Sequence, residues 1–317
     1  METETKVETS QEQNSSKVVL VNQHKDEHKN LAKKDYSSYL TNFTKEEMIA
    51  AENFLTRIIK SKKGGIETIN DGFAILMRAK DLNLPFSTCI EHIHVINGKT
   101  GIDVHVIKAL LLRAACVWKC TKDYQALYEY TDGINVFVDG KLPEYCIRCN
   151  NKKEALDKAK DDKDNNFMYV YPVTYYKDFN GKVYKEYQLN ANYKLVRSKE
   201  EVAAAKTENK IPIYRIPNVP VDYVTEYEFT RYINGDVIHS VGRFTYSEAN
   251  QADLFEKDTY KKYPRILISH RAFTFGARDI ADDVLFGVYE MTELKIMNNI
   301  KLDDKDIIPV EDAEIIE

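Results

Sequence analysis

From Thr44 the stretch TKEEMIAAENFLTRIIKSK sets its apolar residues at helical spacing, with Thr44 as the capping hydroxyl and Gly64-Gly65 as the stop. A second helical pattern spans about 66 to 82 and ends before Pro85. CIEHIHVINGKTGIDVHVIKALLLRAA then predicts a short hairpin turning at Asn97-Gly98 and a further helix running into Trp118. Between about 124 and 246 the period changes to two. Tyrosine-rich alternating segments are punctuated by Asp132-Gly133, Asp139-Gly140, Asn180-Gly181 and Asn234-Gly235, dipeptides that suit tight turns with positive φ. The clearest hairpin is VTEYEFTRYI, then NG, then DVIHSVGRFTY. SKEEVAAAKTE reads as a short helix among the strands, and NNKKEALDKAKDDKDNN as an exposed, partly helical excursion. Helices return from about Ser247. The order predicts an α+β fold, with N-terminal helices and a central antiparallel sheet of hairpins packed on C-terminal helices.

The helix expected in YPRILISHRAFTFGARDIADDVLFGVYE raises a question of its own. At helical period Ile266, Ser269, Phe273, Gly276, Ala277 and Ile280 form one stripe, while Arg271, Thr274 and Arg278 fall on roughly the opposite side. One face is expected to bury and the other to present fixed charge, so that either arginine is removable without unfolding the protein.

Charge sharpens that picture. The chain of 317 residues carries a net charge of −5, but residues 279 to 317 hold twelve Asp and Glu against three Lys, a net of −9 that leaves +4 for the rest. Within that remainder, residues 257 to 278 contain six Lys and Arg against Asp258 alone. A basic body with an acidic tail suits a polyanion binder whose tail serves another partner. METETKVETSQEQNSSK has no apolar signal core, and no apolar run reaches the roughly 18 residues of a membrane span. The expected layout is a disordered arm over 1–43, a single domain over 44–300 and a flexible acidic tail over 301–317, in a cytoplasmic protein with no membrane partner. Five cysteines without a secretion signal point to reduced thiols. Cys116 and Cys120 read as core residues at the end of an apolar helix, and Cys146 and Cys149 form a CxxC after a strand signal, which keeps a zinc-stabilised interaction module open as an alternative.

Most catalytic readings fail on spacing. NGKTG at 97 to 101 ends like a phosphate-binding loop, but the glycine needed five residues before Gly98 is Ile93, and Asn97-Gly98 is accounted for as a hairpin turn. Asp279, Asp282 and Asp283 could hold a divalent metal, as in a metal-dependent nuclease. Asp282 or Asp283 also suits the cap of a following helix, VLFGVYEMTEL, and capping is favoured because no carboxylate-plus-lysine motif on a strand accompanies the group. The seven histidines are scattered. What remains is binding, for which basic grooves with aromatic surfaces are the requirement. The chain has 21 Tyr, many of them beside Lys or Arg, as in YYKDFNGKVYKEY, ANYKLVR and EFTRY.

Two blocks, LPFSTCIEHIHVINGKTGIDVHVIKALLLRA and YPRILISHRAFTFGARDIADDVLFGVYEMTEL, together resemble phage single-strand annealing proteins of the RecT type (the RecT/Redβ superfamily). The first resembles the family's Leu-Pro step, Val-Ile-x-Gly-Lys turn and apolar helix. The second resembles its Pro-Arg, Arg-Ala, Ala-Arg-Asp and Asp-Val-Leu-x-Gly-x-Tyr pattern, here Pro264-Arg265, Arg271-Ala272, Ala277-Arg278-Asp279 and Asp283 to Tyr289. The likeness covers about residues 70 to 300. It departs at Ile280-Ala281-Asp282, where the family often has Phe-Pro, so the helix is expected to end differently. The resemblance implies binding of single-stranded DNA and its annealed duplex, and annealing in phage recombination within a bacterial host cytoplasm. It also implies a homo-oligomer, as ring or helical filament, with no covalent chemistry, no ATP and no required cofactor, Mg2+ acting as a modulator. An exonuclease or the host single-strand binding protein is the expected partner of the tail. On this reading Arg271 and Arg278 line the strand-holding groove with Thr274, while Arg265, Lys261 and Lys262 sit at its edge. Tyr193, Lys194 and Arg243 supply stacking or strand contacts in the sheet.

Overall fold

A computed structural model describes residues 18–20, 44–61, 66–164, 166–217, 219–303 and 306–315. The fold is α+β. The chain forms two compact units: one comprises Met1–Asp123, Thr225–Phe244 and Ala249–Glu317, the other Tyr124–Val224 and Thr245–Glu248. The single domain expected over 44–300 is thus divided, because the tyrosine-rich middle folds as an insertion. The chain leaves the first unit along the strand Cys116–Leu127 and returns along Asp222–Ile233. The expected arm, apart from 18–20, and the Gly64-Gly65 stop lie outside the described residues.

In the first unit the helices Lys45–Ser61, Ile69–Asp81 and Phe86–His92 precede the hairpin Ile93–Ile96/Lys99–Ile102. Its turn has Asn97 at φ 50 and Gly98 at φ 76, the left-handed region in which Asn and Gly are at ease, and Ile96 pairs with Lys99. Asp103 caps the next helix, Val104–Arg113, by accepting the Val106 N–H at 3.0 Å. Ala115, at φ 55, ends that helix before Cys116. Cys116 and Cys120 therefore stand on a strand, Cys116–Leu127, not on the helix expected for AACVWKC; side chains from 116 to 120 alternate inward and outward, which an apolar run alone does not reveal.

The five-stranded sheet of this unit runs Val18–Leu20, Ala313–Ile315, Cys116–Leu127, Asp222–Ile233, Asp236–Thr245. One of its faces packs on the 22-residue helix Pro264–Leu285. Phe273 meets the edges of Trp118 and Tyr227, with centroids 5.3 and 5.6 Å away, and lies 5.5 Å from Phe229. Strand and helix touch backbone to backbone at two glycines. A Cβ on Gly242 would lie 2.1 Å from the Ala272 carbonyl oxygen, and one on Gly276 would lie 2.2 Å from the Phe229 ring. A methyl group at either position has nowhere to go.

The second unit holds two four-stranded sheets. One runs Val183–Lys185, Tyr175–Asp178, Ile211–Ile216, Tyr193–Leu195; the other runs Val136–Val138, Glu129–Thr131, Met168–Pro172, Cys146–Arg148. The turns at Asn180-Gly181 and around Asp132-Gly133 close hairpins as expected. The strand after Asp139-Gly140 instead runs parallel to Met168–Pro172. The predicted short helices appear as Lys152–Asp161 and Lys199–Thr207, capped by Asn151 and Ser198.

Candidate nucleic-acid interface

The helix Pro264–Leu285 is buried almost all round. Besides the apolar stripe it buries His270 and Thr274, leaving Arg265, Phe275 and Asp279 exposed among its first sixteen residues. The expected solvated face is absent because a second layer covers it. After Leu285 the chain turns through Phe286 (φ 50) and Gly287 (φ 63) and forms the short strand Tyr289–Glu290, which pairs in parallel with the Lys99–Ile102 strand. It then enters the helix Met291–Met297, capped by the Glu290 carboxylate. The helix expected over VLFGVYEMTEL is therefore interrupted. The departure noted at 280–282 takes the form of a kink, with Ala281 at φ −137 and ψ 37.

This second layer supplies partners for the predicted cations. Arg271 donates to Glu293 Oε1 at 2.9 Å, and Arg278 donates to Glu293 Oε2 and to the Val288 carbonyl at 3.3 Å. Glu293 is 8% exposed at its side chain, against 14% for Arg271 and 24% for Arg278. Burial pushes the Tyr260 hydroxyl up in pKa, and the nearby Arg271 opposes that shift. These arginines thus hold an internal carboxylate before they can hold anything else. Thr274 is excluded from a groove: it is buried and donates its hydroxyl to the His270 carbonyl at 2.7 Å.

The remaining predicted positions do not converge on one site. Arg265 is exposed and forks onto Asp123, its Nε 3.0 Å from Oδ1. Lys261 lies 3.7 Å from Asp258, and Lys262 sits 4.8 Å from the Tyr263 ring centroid. Arg243, half-buried, is on the sheet-edge strand Asp236–Thr245. Tyr193 and Lys194 belong to the second unit, where Tyr193 tilts on Tyr184 and Lys194 pairs with Glu208 at 2.5 Å. The three acids are spoken for in part: Asp279 accepts the Ser240 hydroxyl at 2.5 Å, and Asp283 forks onto the buried Arg231 at 2.5 and 2.8 Å. Arg231 is the first cause of the lowered Asp283 pKa. Among the described residues no group of three or more His, Cys, Asp or Glu could hold a metal ion. Burial pushes the Cys89 and Cys120 thiols up to about 11 and Cys116 up to about 12.

Lys99 and Arg278 do converge, on the ring of Tyr289. Lys99, from the hairpin, has its Nζ 5.5 Å from that ring's centroid, and the Arg278 guanidinium lies 5.7 Å from it. Lys99 is exposed and has no carboxylate partner among the described residues. Arg271 and Arg278 share one carboxylate, so this group keeps one positive charge in excess, to which Lys99 adds a second. Glu290 follows Tyr289 on the strand and points the other way, toward His270 at 3.8 Å. Lys99, Tyr289 and Glu293 were not among the expected site residues; each of the two blocks contains one strand of the same short parallel pairing, which no sequence pattern marks.

The described C-terminal residues 306–315 are also built in, whereas a flexible tail was expected over 301–317. Trp118 Nε1 donates to the Glu311 carbonyl at 2.6 Å, the Asp312 carboxylate accepts the Cys120 N–H at 2.7 Å, and Ala313 pairs with Trp118. Buried His270 contacts the Ile308 carbonyl, while Lys295 and Lys108 meet Asp306 and Glu311 at 2.8 and 3.7 Å. Asp306 and Glu311 find cations and Asp312 a backbone donor in the body, which net charge alone could not disclose. No described helix is long and apolar enough to cross a membrane. No protein-family profile, curated protein or solved structure matches the chain.

Proposed function

We propose that this protein binds single-stranded DNA and anneals complementary strands without nucleotide hydrolysis, as a homo-oligomer in a bacterial cytoplasm. The observation that carries the reading is the convergence of Lys99 and Arg278 on the Tyr289 ring, because it joins the two stretches that resemble RecT-type annealing proteins into one cationic surface. The ring fixes both cations by the attraction of their charge to its face. Fixed cations lower the repulsion between two phosphate backbones, and each contact releases counterions. Base pairing supplies the driving energy, so no ATP and no cofactor are required; Mg2+ modulates the repulsion. Arg265, Lys261, Lys262 and Arg243 extend the positive surface, and Arg271 acts on it through Glu293. An exonuclease or the host single-strand binding protein remains the proposed partner of the C-terminal end.

The test is annealing of two complementary labelled oligonucleotides in nucleotide-free buffer, followed by energy transfer, with strand length checked on a gel after incubation with Mg2+. Annealing with intact strands, unchanged by ATP, is the expected result. Absence of single-strand binding at low salt overturns the proposal, and shortened strands would favour the nuclease reading through Asp279, Asp282 and Asp283.

A further inference from the structure

The second unit contains a cavity of about 610 Å3 that none of the chemistry above uses. Its wall is drawn from both four-stranded sheets, the start of the Lys152–Asp161 helix and the segment around Pro217. The volume falls within the roughly 300–1,000 Å3 of small-molecule sites.

The charges in the wall are unevenly satisfied. Glu129 is neutralised, since it accepts the Tyr175 hydroxyl at 2.5 Å and pairs with Lys185 at 2.8 Å. Arg215 and Lys152 also line the cavity, both exposed, and neither has an ion-pair partner among the described residues. Glu186 is the one remaining carboxylate in the wall, so the lining keeps a single positive charge in excess. Arg215 stands beside Tyr176, its partner in the sheet register. The Tyr176 hydroxyl is pushed up in pKa by burial and then by Glu186, with Arg215 opposing. The other rings on the wall include Tyr128, Tyr130 and Tyr171. Asn151 spends its side-chain oxygen on the Glu154 N–H at 3.0 Å, which leaves its amide hydrogens available to an acceptor.

Such a wall asks for a ligand that is planar and aromatic at one end and anionic at the other. We propose that the cavity binds a nucleoside 5′-phosphate, with the base against the tyrosines and the phosphate between Arg215 and Lys152. Guanidinium and ammonium groups recognise phosphate by charge-assisted hydrogen bonds, and bases stack on aromatic rings without regard to sequence. The same chemistry is offered by a free mononucleotide and by the phosphorylated end of a DNA strand. The proposal does not rest on the annealing surface, whose residues Lys99, Arg278 and Tyr289 belong to the other unit.

The experiment is calorimetric titration of the full chain with thymidine 5′-monophosphate, thymidine, and tetrathymidylate with and without a 5′-phosphate. A phosphorylated probe is expected to bind at least about tenfold more tightly than its unphosphorylated counterpart, one charge-assisted contact being equivalent to roughly that factor. Arg215→Ala and Lys152→Ala are each expected to erase that preference while the melting temperature stays at the wild-type value. Binding of the mononucleotide alone identifies a free nucleotide as the ligand. A phosphate-dependent gain on the tetranucleotide, lost in Arg215→Ala, identifies a strand end. Equal affinity for phosphorylated and unphosphorylated probes, or a preference unchanged in both variants, overturns the proposal. Arg215→Lys, which keeps the charge, separates loss of the phosphate contact from local unfolding: retained preference supports the site, and loss in all three variants with a lowered melting temperature counts against it.

Discussion

Removing Arg271 tests whether the helix arginines face nucleic acid or the protein's own interior. Its guanidinium lies 2.9 Å from Glu293, whose side chain is 8% exposed, so Arg271→Ala deletes a charge-assisted hydrogen bond to a buried carboxylate. Such a bond contributes about 1.5–3 kcal/mol. The cost stays below the roughly 3–5 kcal/mol of a fully orphaned buried charge because Arg278 still holds the other oxygen. Arg278→Ala should cost a similar amount for the reciprocal reason. Removing both leaves Glu293 buried without a cation, so the double variant is expected to lose more than the two single losses together. Glu293→Gln in that double background should then restore stability, since it removes the orphaned charge. The assay is urea unfolding followed by fluorescence of Trp118, the sole tryptophan, which is buried 5.3 Å from Phe273 on the same helix and so reports on this unit. Single-strand binding across a salt series completes it: Arg271→Ala should keep the wild-type slope, whereas Arg278→Ala should lower it by roughly 0.7. Wild-type unfolding midpoints in both single variants, with the slope lowered in Arg271→Ala, would refute the internal role argued for Glu293.

Tyr289→Ala should weaken single-strand binding by about three- to fivefold, the value of one exposed cation–π contact, and Lys99→Ala should lower the salt slope by roughly 0.7 with little change in melting temperature; anisotropy titrations measure both. Deleting residues 303 to 317 uncovers Trp118 and His270, so the tryptophan emission should shift to the red and the melting temperature fall, and an unchanged spectrum would show that the segment does not dock. Gly242→Ala should destabilise the first unit by about 1–3 kcal/mol or more, because its new methyl would meet the Ala272 carbonyl and the Gly276 backbone, and an unaltered urea midpoint would contradict that close approach. The Asp283 carboxyl is held below the usual carboxylate range by Arg231, so the stability it contributes is complete above about pH 5 and declines as pH falls through the ordinary value of about 4 toward the lowered one. Asp283→Asn should flatten the acid limb of the pH–stability curve.

The long hairpin was legible because two signals agree there. Tyr227 and Phe229 alternate with Glu226, Glu228 and Thr230, and Asn234-Gly235 takes the positive φ values, 51 and 95, that the dipeptide foretells. The helix Pro264–Leu285 was legible as a helix but not in its surroundings. Period 3.6 says which side chains share a face; it cannot say whether a charged face meets water or a carboxylate contributed from 15 or 22 residues further along. Cys116 to Cys120 was misjudged for a related reason, since the helix ends on a single left-handed residue, Ala115, which no periodicity marks. The division into two units was hidden because the inserted strands carry the same tyrosine-rich alternation as the hairpin that flanks them.

The buried ion pairs also bear on how the proposed surface would be regulated. Glu293 holds Arg278, Arg278 stands over Tyr289, and Tyr289 pairs with the strand that carries Lys99. On the other side of the same short strand, Glu290 caps the Met291–Met297 helix and approaches His270, which contacts the Ile308 carbonyl of the docked C-terminal segment. The cationic surface and the C-terminal segment therefore rest on one two-residue strand, Tyr289–Glu290, whose alternate side chains serve one each. A partner that drew the 306–315 segment away would remove the Ile308 contact from His270 and loosen the support behind Tyr289. On the proposed reading, binding of such a partner and binding of DNA would be coupled through that strand, and by linkage each should change the affinity for the other by the same factor.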